Sequence, residues 1–390
     1  MTAPGGAAAE TEAGQAAGSS AEAAGPDPAH PAHGHPALPS TPPGSATWRA
    51  ASLRTQGFVS LRGQRAAARS RWTAALAGRR VPDLAGAVTD AGFATGWRVV
   101  RGLPEPVARQ AFRLGADLAA RRDGPGAHRL RMNLHRVVPD ATPDELDALV
   151  RAGLRSYARY WYEAFRLPVM DPVAVHAGTL ATGTGPFHEA IAGGRGVIFA
   201  LPHSGNWDAA GVWLVEELRR LGHEPRFTTV AQRLRPDSLY RRFVAYRESL
   251  GFEVVAAEDG SAAHRALTSR LRGGGVVSLL VERDFTATGV PVRFFGEPAR
   301  FPAGPARLAA LTGALLVPVF SGFTPRGWTL DLAEPVPVEG RAGVPAALQG
   351  EADALAAMIR RHPQDWHALQ PVWSADRPDT QASEPDRVPG

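Results

Sequence analysis

An α/β protein with a central, mostly parallel sheet flanked by helices is the fold class this sequence predicts, from three observations. Short apolar runs of strand length alternate with helical stretches from residue 194 onward. The run at 194–203 is apolar almost throughout, as in a strand buried in a sheet, and it ends at His203. The chain has 390 residues and 44% hydrophobic content, enough to bury a large core.

Residues 1–46 are mostly Ala, Gly, Pro, Ser and acidic residues, with His30, His33 and His35. They offer too little apolar surface to offset ordering entropy, so a disordered tail is expected. A basic segment follows at 47–83. Arg49, Arg54, Arg62, Arg65, Arg69, Arg71, Arg79 and Arg80 occur there, with no acid between residues 49 and 80. Such a block attracts anionic surfaces. A single domain is expected over 84–375, with a second disordered tail at 376–390.

Helical spacing starts the domain. Leu84, Val88, Ala91 and Phe93 precede a break at Pro104–Pro106, after which Val107, Ala111, Leu114 and Leu118 recur. These helices are expected to form a membrane-associating region. Residues 130–139 predict another helix, ended by Pro139. Thr142, Pro143, Asp144 and Glu145 form a helix start: a capping hydroxyl, a proline at the first position, then acids facing the dipole. That helix is expected to reach Phe165. Arg151, Arg155 and Arg159 share one of its faces beside Tyr157, Tyr160 and Trp161. This face suits a membrane interface, or a packed aromatic face with a solvated charged one. Strands are expected at 194–203, 227–230, 276–281, 315–320 and 328–332. Helices are expected at 208–221, 238–250, 262–272 and 303–312.

Composition excludes several chemistries. There is no Cys, so disulfides, thiolate nucleophiles and cysteine metal sites are ruled out. All 43 basic residues are Arg, which removes Schiff bases and lysine general bases. Every fixed cation is instead a guanidinium suited to phosphate and carboxylate. No apolar run is long enough for a transmembrane helix, and the N-terminus does not read as a secretory signal.

The chemistry concentrates at Pro202-His203-Ser204-Gly205-Asn206-Trp207-Asp208. Sheets of this class form sites at the C-terminal ends of strands, where His203 falls. Gly205 permits a turn and Asp208 enters the next helix. A carboxylate can hold one imidazole nitrogen, leaving the other to take a proton from a hydroxyl. Backbone N–H groups at the turn and helix start are candidates for an oxyanion. Glu282 also ends an apolar strand, so Asp208 and Glu282 both remain candidates for the acid beside His203.

Further segments accompany this block in order. They are Arg235-Pro236, Val281-Glu282-Arg283-Asp284, Gly289 to Gly296 with Phe294-Phe295, Pro302 to Ala306, and Thr312 to Pro318. Together they resemble the glycerolipid and lipid A late-acyltransferase superfamily, whose HxxxxD/E block His203–Asp208 matches. Ser156 to Trp161, Glu163 to Pro168 and Trp366 to Trp373 resemble its actinobacterial phosphatidylinositol mannoside acyltransferase branch. The resemblance covers about residues 84–375.

The resemblance implies transfer of a fatty acyl chain, palmitoyl in expectation, from acyl-CoA to a mannose hydroxyl of a phosphatidylinositol mannoside. His203 would be the general base, with Asp208 in the motif and Glu282 matching the orienting acid. Arg235 would hold a phosphate or sugar hydroxyl, with Arg233 and Asn206 as further substrate-binding candidates. Arg283 and Asp284 flank the site as contacts or as structural residues. No metal or cofactor is implied, because the thioester supplies the activation. The expected place is the cytoplasmic face of the plasma membrane, as a peripheral protein on anionic lipid. Two rival readings are the same chemistry on another glycolipid or a lysophospholipid, and a non-catalytic lipid-surface protein. No nucleic-acid recognition motif accompanies the Arg block.

Overall fold

The computed structural model describes residues 95–96, 98–233, 237–284 and 288–376. The N-terminal tail, the Arg block, residues 377–390 and Arg235 lie outside these. Residues 98–102 are helical. Three longer helices follow: α1 (Glu105–Arg122), α2 (Pro125–Val137) and α3 (Pro143–Arg166). Next come α4 (Pro172–Ala177), β1 (Thr179–Thr182) and α5 (Gly185–Ala192). Strands and helices then alternate through β2 (Val197–Leu201), α6 (Trp207–Arg220), β3 (Phe227–Ala231), α7 (Asp237–Glu248), β4 (Phe252–Ala256), α8 (Ser261–Arg272) and β5 (Val276–Leu280). A hairpin of β6 (Val290–Phe294) and β7 (Glu297–Phe301) precedes α9 (Gly304–Thr312), β8 (Leu315–Phe323), β9 (Trp328–Leu332) and α10 (Val344–Arg361).

Seven strands form one sheet in the order β1-β9-β8-β2-β5-β3-β4. Every neighbouring pair is parallel except β8 and β9. Strand β2 lies in the middle and is buried along its whole length. Its side chains divide by the two-residue period of a strand. Val197, Phe199 and Leu201 enter the core beneath α5 and α6, whereas Ile198 and Ala200 enter the core beneath α2, α3, α9 and α10. Double-sided cover explains why this strand reads as an unbroken apolar run.

Helix α3 starts as its sequence implies. The Glu145 N–H donates to Thr142 Oγ1 at 3.4 Å, and the Thr142 N–H donates to Glu145 Oε2 at 2.8 Å. This reciprocal capping box satisfies two orphan donors. Two of the three arginines that share a face of α3 are engaged within the protein. Arg155 is paired to Asp117 of α1 at 2.5 Å. Arg159 pairs with Glu163 and donates to the carbonyls of Thr324 and Gly327. The aromatic side packs inward, with Tyr160 3% exposed.

Sequence periodicity misses β1, β4, the hairpin and α10. Strands β1 and β4 are short edge strands with partly exposed residues, so neither reads as a buried run. The hairpin turns on Phe295 and Gly296, with φ of 51° and 82°. A two-residue turn with both φ positive matches strand twist, but the usual residues are Asn or Gly. Packing holds Phe295 there instead: Phe294 lies 4.6 Å away and the Arg360 guanidinium 4.8 Å over its ring.

Helix α10 carries Glu351 on its inner face with 0% exposure. Neither carboxylate oxygen has a hydrogen-bond partner among the described residues. Burial pushes this carboxyl up to about 8. The folded chain therefore keeps a proton that the unfolded chain releases near the ordinary Glu value. The resulting penalty is absent at acid pH and grows as pH rises toward 8. Glu351→Gln is expected to gain roughly 2–4 kcal/mol over the parent between pH 5 and pH 8. Denaturation curves at both pH values check this, and an equal difference at both would overturn it.

Candidate active site

Strand register builds the central pair. Val197 stands beside Val276 and Leu201 beside Leu280, in parallel register. The Val281 N–H donates to Leu201 O at 2.9 Å and continues that register. Two steps beyond Leu201 is His203, and two steps beyond Leu280 is Glu282. Matched positions on adjacent parallel strands project side by side. Accordingly, His203 Nδ1 lies 2.6 Å from Glu282 Oε1, and the His203 backbone N–H donates to the same oxygen at 3.1 Å.

This geometry sets the tautomer. Nδ1–H donates to the carboxylate, and Nε2 makes no hydrogen bond among the described residues. Glu282 is fully buried, whereas the His203 side chain is 19% exposed. Burial opposes the Glu282 charge, but His203 and the Arg283 guanidinium outweigh it and hold the carboxyl well below its usual range. Burial, then the nearby Arg283, lowers His203 despite the pull of Glu282. The ring is therefore a neutral base at pH 7.

Asp208 does not contact His203. Its Oδ1 receives Arg247 Nε at 3.0 Å and its Oδ2 receives the Tyr160 hydroxyl at 3.3 Å. Burial works against the Arg247 charge, and Asp208 outweighs it, raising this guanidinium above its ordinary value. Burial, with Asp208 behind it, also raises Tyr160 and Tyr246 well above the usual phenol range. Of the two acids left open by the residues alone, Glu282 meets the imidazole. Asp208 anchors the first turn of α6 to α7 and α3.

Asn206, expected as a substrate-binding candidate, is placed as the buried cap of α6. It is 0% exposed; its Oδ1 accepts the Ala209 N–H at 3.0 Å and its Nδ2 donates to Glu163 at 2.8 Å. Glu163 also accepts from Trp328 Nε1 and from Arg159. Gly205 has φ of 49°, and a Cβ there would lie 2.5 Å from Ser321 O, so the turn requires glycine. The Gly205 and Asn206 N–H groups are taken by Asp365 O and Ser321 Oγ. The oxyanion candidates at the helix start thus narrow to Trp207 and Asp208.

Of the remaining candidates, Arg283 adjoins the pair and bridges it to the C-terminal segment: its Nε lies 3.5 Å from Glu282 Oε1 and its Nη1 donates to Gln370 at 2.8 Å. Asp284 is buried and accepts the Gly289 N–H at 2.7 Å, shaping the loop before β6. Arg233 follows β3 on the same sheet edge as His203, half-exposed and 3.8 Å from Asp259. Phe294 and Phe295 pack against Trp366 and Trp373 around the hairpin. Sequence reasoning gave Tyr160 only a place on an aromatic face, and assigned no site role to Glu163, Arg247, Asp365 or His367. Apart from the i,i+4 pair of Glu163 with Arg159, their partners lie tens to hundreds of positions away, and no local pattern signals such pairing. Among the described residues no group of His, Asp and Glu is arranged to hold a metal.

Removing Asp208 strands a buried guanidinium. Asp208→Ala and Arg247→Ala are each expected to cost about 3–5 kcal/mol. The double variant is expected to cost less than the sum, as a double-mutant cycle of unfolding curves would reveal. Additive losses would show that the pair is not coupled.

The model for bacterial lipid A biosynthesis acyltransferases matches residues 86–375. A phosphatidylinositol mannoside acyltransferase of Mycolicibacterium smegmatis is 49% identical over 301 residues, covering 77% of this chain and 96% of the relative. Proteins of the same name from two Mycobacterium tuberculosis strains are 48% and 47% identical over 294 residues, 74% of this chain and 89% of each relative. With a family match spanning the described domain and near-half identity to these relatives, the chain belongs to the bacterial lipid A biosynthesis acyltransferase family.

Proposed function

We propose that this protein transfers a fatty acyl chain, palmitoyl in the first instance, from acyl-CoA to a mannose hydroxyl of a phosphatidylinositol mannoside. One observation carries the reading. A neutral imidazole, fixed by a buried carboxylate, presents Nε2 at the C-terminal edge of a parallel sheet. The acyltransferase family and the names of the relatives support the acceptor class.

His203 Nε2 takes the proton from the acceptor hydroxyl as its oxygen attacks the thioester carbonyl. Glu282 stabilises the imidazolium that forms, as the acid of a triad whose nucleophile is the substrate alcohol. Collapse of the tetrahedral intermediate breaks the carbon–sulfur bond, and the imidazolium returns its proton to the departing thiolate. The Trp207 and Asp208 N–H groups face the developing oxyanion in this scheme. Arg235 would take the acceptor phosphate, as would Arg233, which follows β3 at the sheet edge that carries His203.

The working surface is proposed to be the cytoplasmic leaflet of the plasma membrane. Val107, Leu114 and Leu118 of α1 are 53%, 58% and 46% exposed along one stripe, an apolar face suited to the lipid interface. The Arg block adds about 1 kcal/mol per residue near anionic lipid. No helix among the described residues is long and apolar enough to cross a membrane.

Mass spectrometry of palmitoyl-CoA incubated with mannosylated and lysophospholipid acceptors tests the reaction. Acylated mannoside is expected; its absence from every mannosylated acceptor overturns the reading. His203→Ala is expected to lower the rate by about 10²–10⁴, and full turnover would refute the base assignment. Glu282→Gln removes the charge that raises His203. The acid limb of kcat/KM is therefore expected to move to lower pH while kcat falls.

A further inference from the structure

We infer that His367, keyed in place by Ser156 and Asp365, is a positioning residue that fixes the backbone of His203 beside Glu282. The segment 365–367 runs antiparallel to 203–205, bridged at Ser204 and Trp366. Two main-chain bonds flank that bridge. The His367 N–H donates to His203 O at 2.7 Å, and the Gly205 N–H donates to Asp365 O at 2.8 Å. The His203 N–H is held by Glu282. Both polar backbone groups of His203 are thus occupied, one by its acid and one by His367.

Side chains lock the segment in turn. The Ser156 hydroxyl donates to Asp365 Oδ1 at 2.7 Å, and the Phe323 N–H donates to Asp365 Oδ2 at 3.1 Å. His367 Nε2 lies 2.9 Å from Ser156 Oγ. The single hydroxyl proton is given to Asp365, so Nε2 carries the proton shared with Ser156. His367 is then the neutral Nε2–H tautomer, consistent with burial lowering it to about 3. Its ring sits 5.3 Å from Tyr157 and 6.4 Å from Trp207. Ser156, Asp365 and His367 are 8%, 3% and 3% exposed, so three polar groups are buried to form this lock. Farther along, Asn133 Nδ2 donates to the carbonyls of Ala368 and Gln370, and Arg283 donates to the Gln370 side chain. The segment that seats the base is therefore tied to α2, α3, β8 and the loop after β5.

The inference rests on His203 as the base, yet its first readout needs no turnover. The groups acting on His203 are Glu282, which raises it, and Arg283 and Arg247, which lower it after burial. Opening the lock hydrates the ring and weakens the burial effect. The test is an NMR titration of full-length protein labelled with ¹⁵N-histidine, with the His203 signal assigned by its loss in His203→Gln. In Ser156→Ala the His203 midpoint is expected to rise by about half a pH unit or more, while circular dichroism stays that of the parent. In the acyltransfer assay kcat is expected to fall about tenfold with the KM for palmitoyl-CoA unchanged. His367→Gln, which can place an amide near the Nε2 position, is expected to recover more activity than His367→Asn, whose amide lies near Nδ1.

An unmoved His203 midpoint in folded Ser156→Ala overturns the proposal. Rescue by Asn and not by Gln also overturns it, since it assigns His367 a direct contact through Nδ1. Should Ser156→Ala not fold, Asp365→Asn is read by the same titration and the same criterion. If the parent acylates no acceptor, the proposed reaction fails, and the titration still decides the positioning role.

Discussion

A fully buried carboxylate at the end of a parallel strand is the constraint around which this site is organised. An ionised group in such a place is costly unless donors surround it. Glu282 receives two N–H groups from His203 and lies near the Arg283 guanidinium, while its Oε2 has no partner among the described residues. The carboxylate therefore depends on the histidine as much as the histidine depends on it. Displacing His203 leaves a desolvated charge, so the reactive geometry and the stability of this sheet edge are one property.

Helix α3 is the strut that makes the edge rigid. Ser156, Tyr160 and Glu163 recur at helical spacing and lie on one face. Each meets a different part of the site: Ser156 meets Asp365 and His367, Tyr160 meets Asp208, and Glu163 meets Asn206 and Trp328. Arg159 of the same helix pairs with Glu163, and Arg155 pairs with Asp117 of α1. A segment whose sequence left open a membrane face or a packed aromatic face packs its aromatic side inward and supplies a polar spine for the loop from His203 to Asp208.

The motif acid Asp208 acts at a distance from the imidazole. It sits in the first turn of α6, where a negative charge is favoured by the helix dipole. Arg247 of α7 and Tyr160 of α3 hold it there. It fixes where α6 begins, and so where the turn after His203 must run. Spacing along the chain groups His203 with Asp208; spacing across the sheet groups His203 with Glu282.

Much of this was legible in the residues themselves. The unbroken apolar run before His203, the alternation of strand and helix and the capping residues at Thr142 dictate elements through local periodicity and chemistry. Glycine at position 205, before a helix start, signals a turn in the same local way. His203 is conspicuous at a strand end for that reason. Short edge strands, the hairpin built on a left-handed Phe295 and the buried face of α10 carry weak local signals, because neighbours across the fold stabilise them. The partner of His203 belongs to this second kind. Its identity depends on β5 lying beside β2 in parallel register, 79 residues away along the chain. Residue order specified the base and two acids able to serve it; sheet order, set by burial of both faces of β2, decided which acid the base meets.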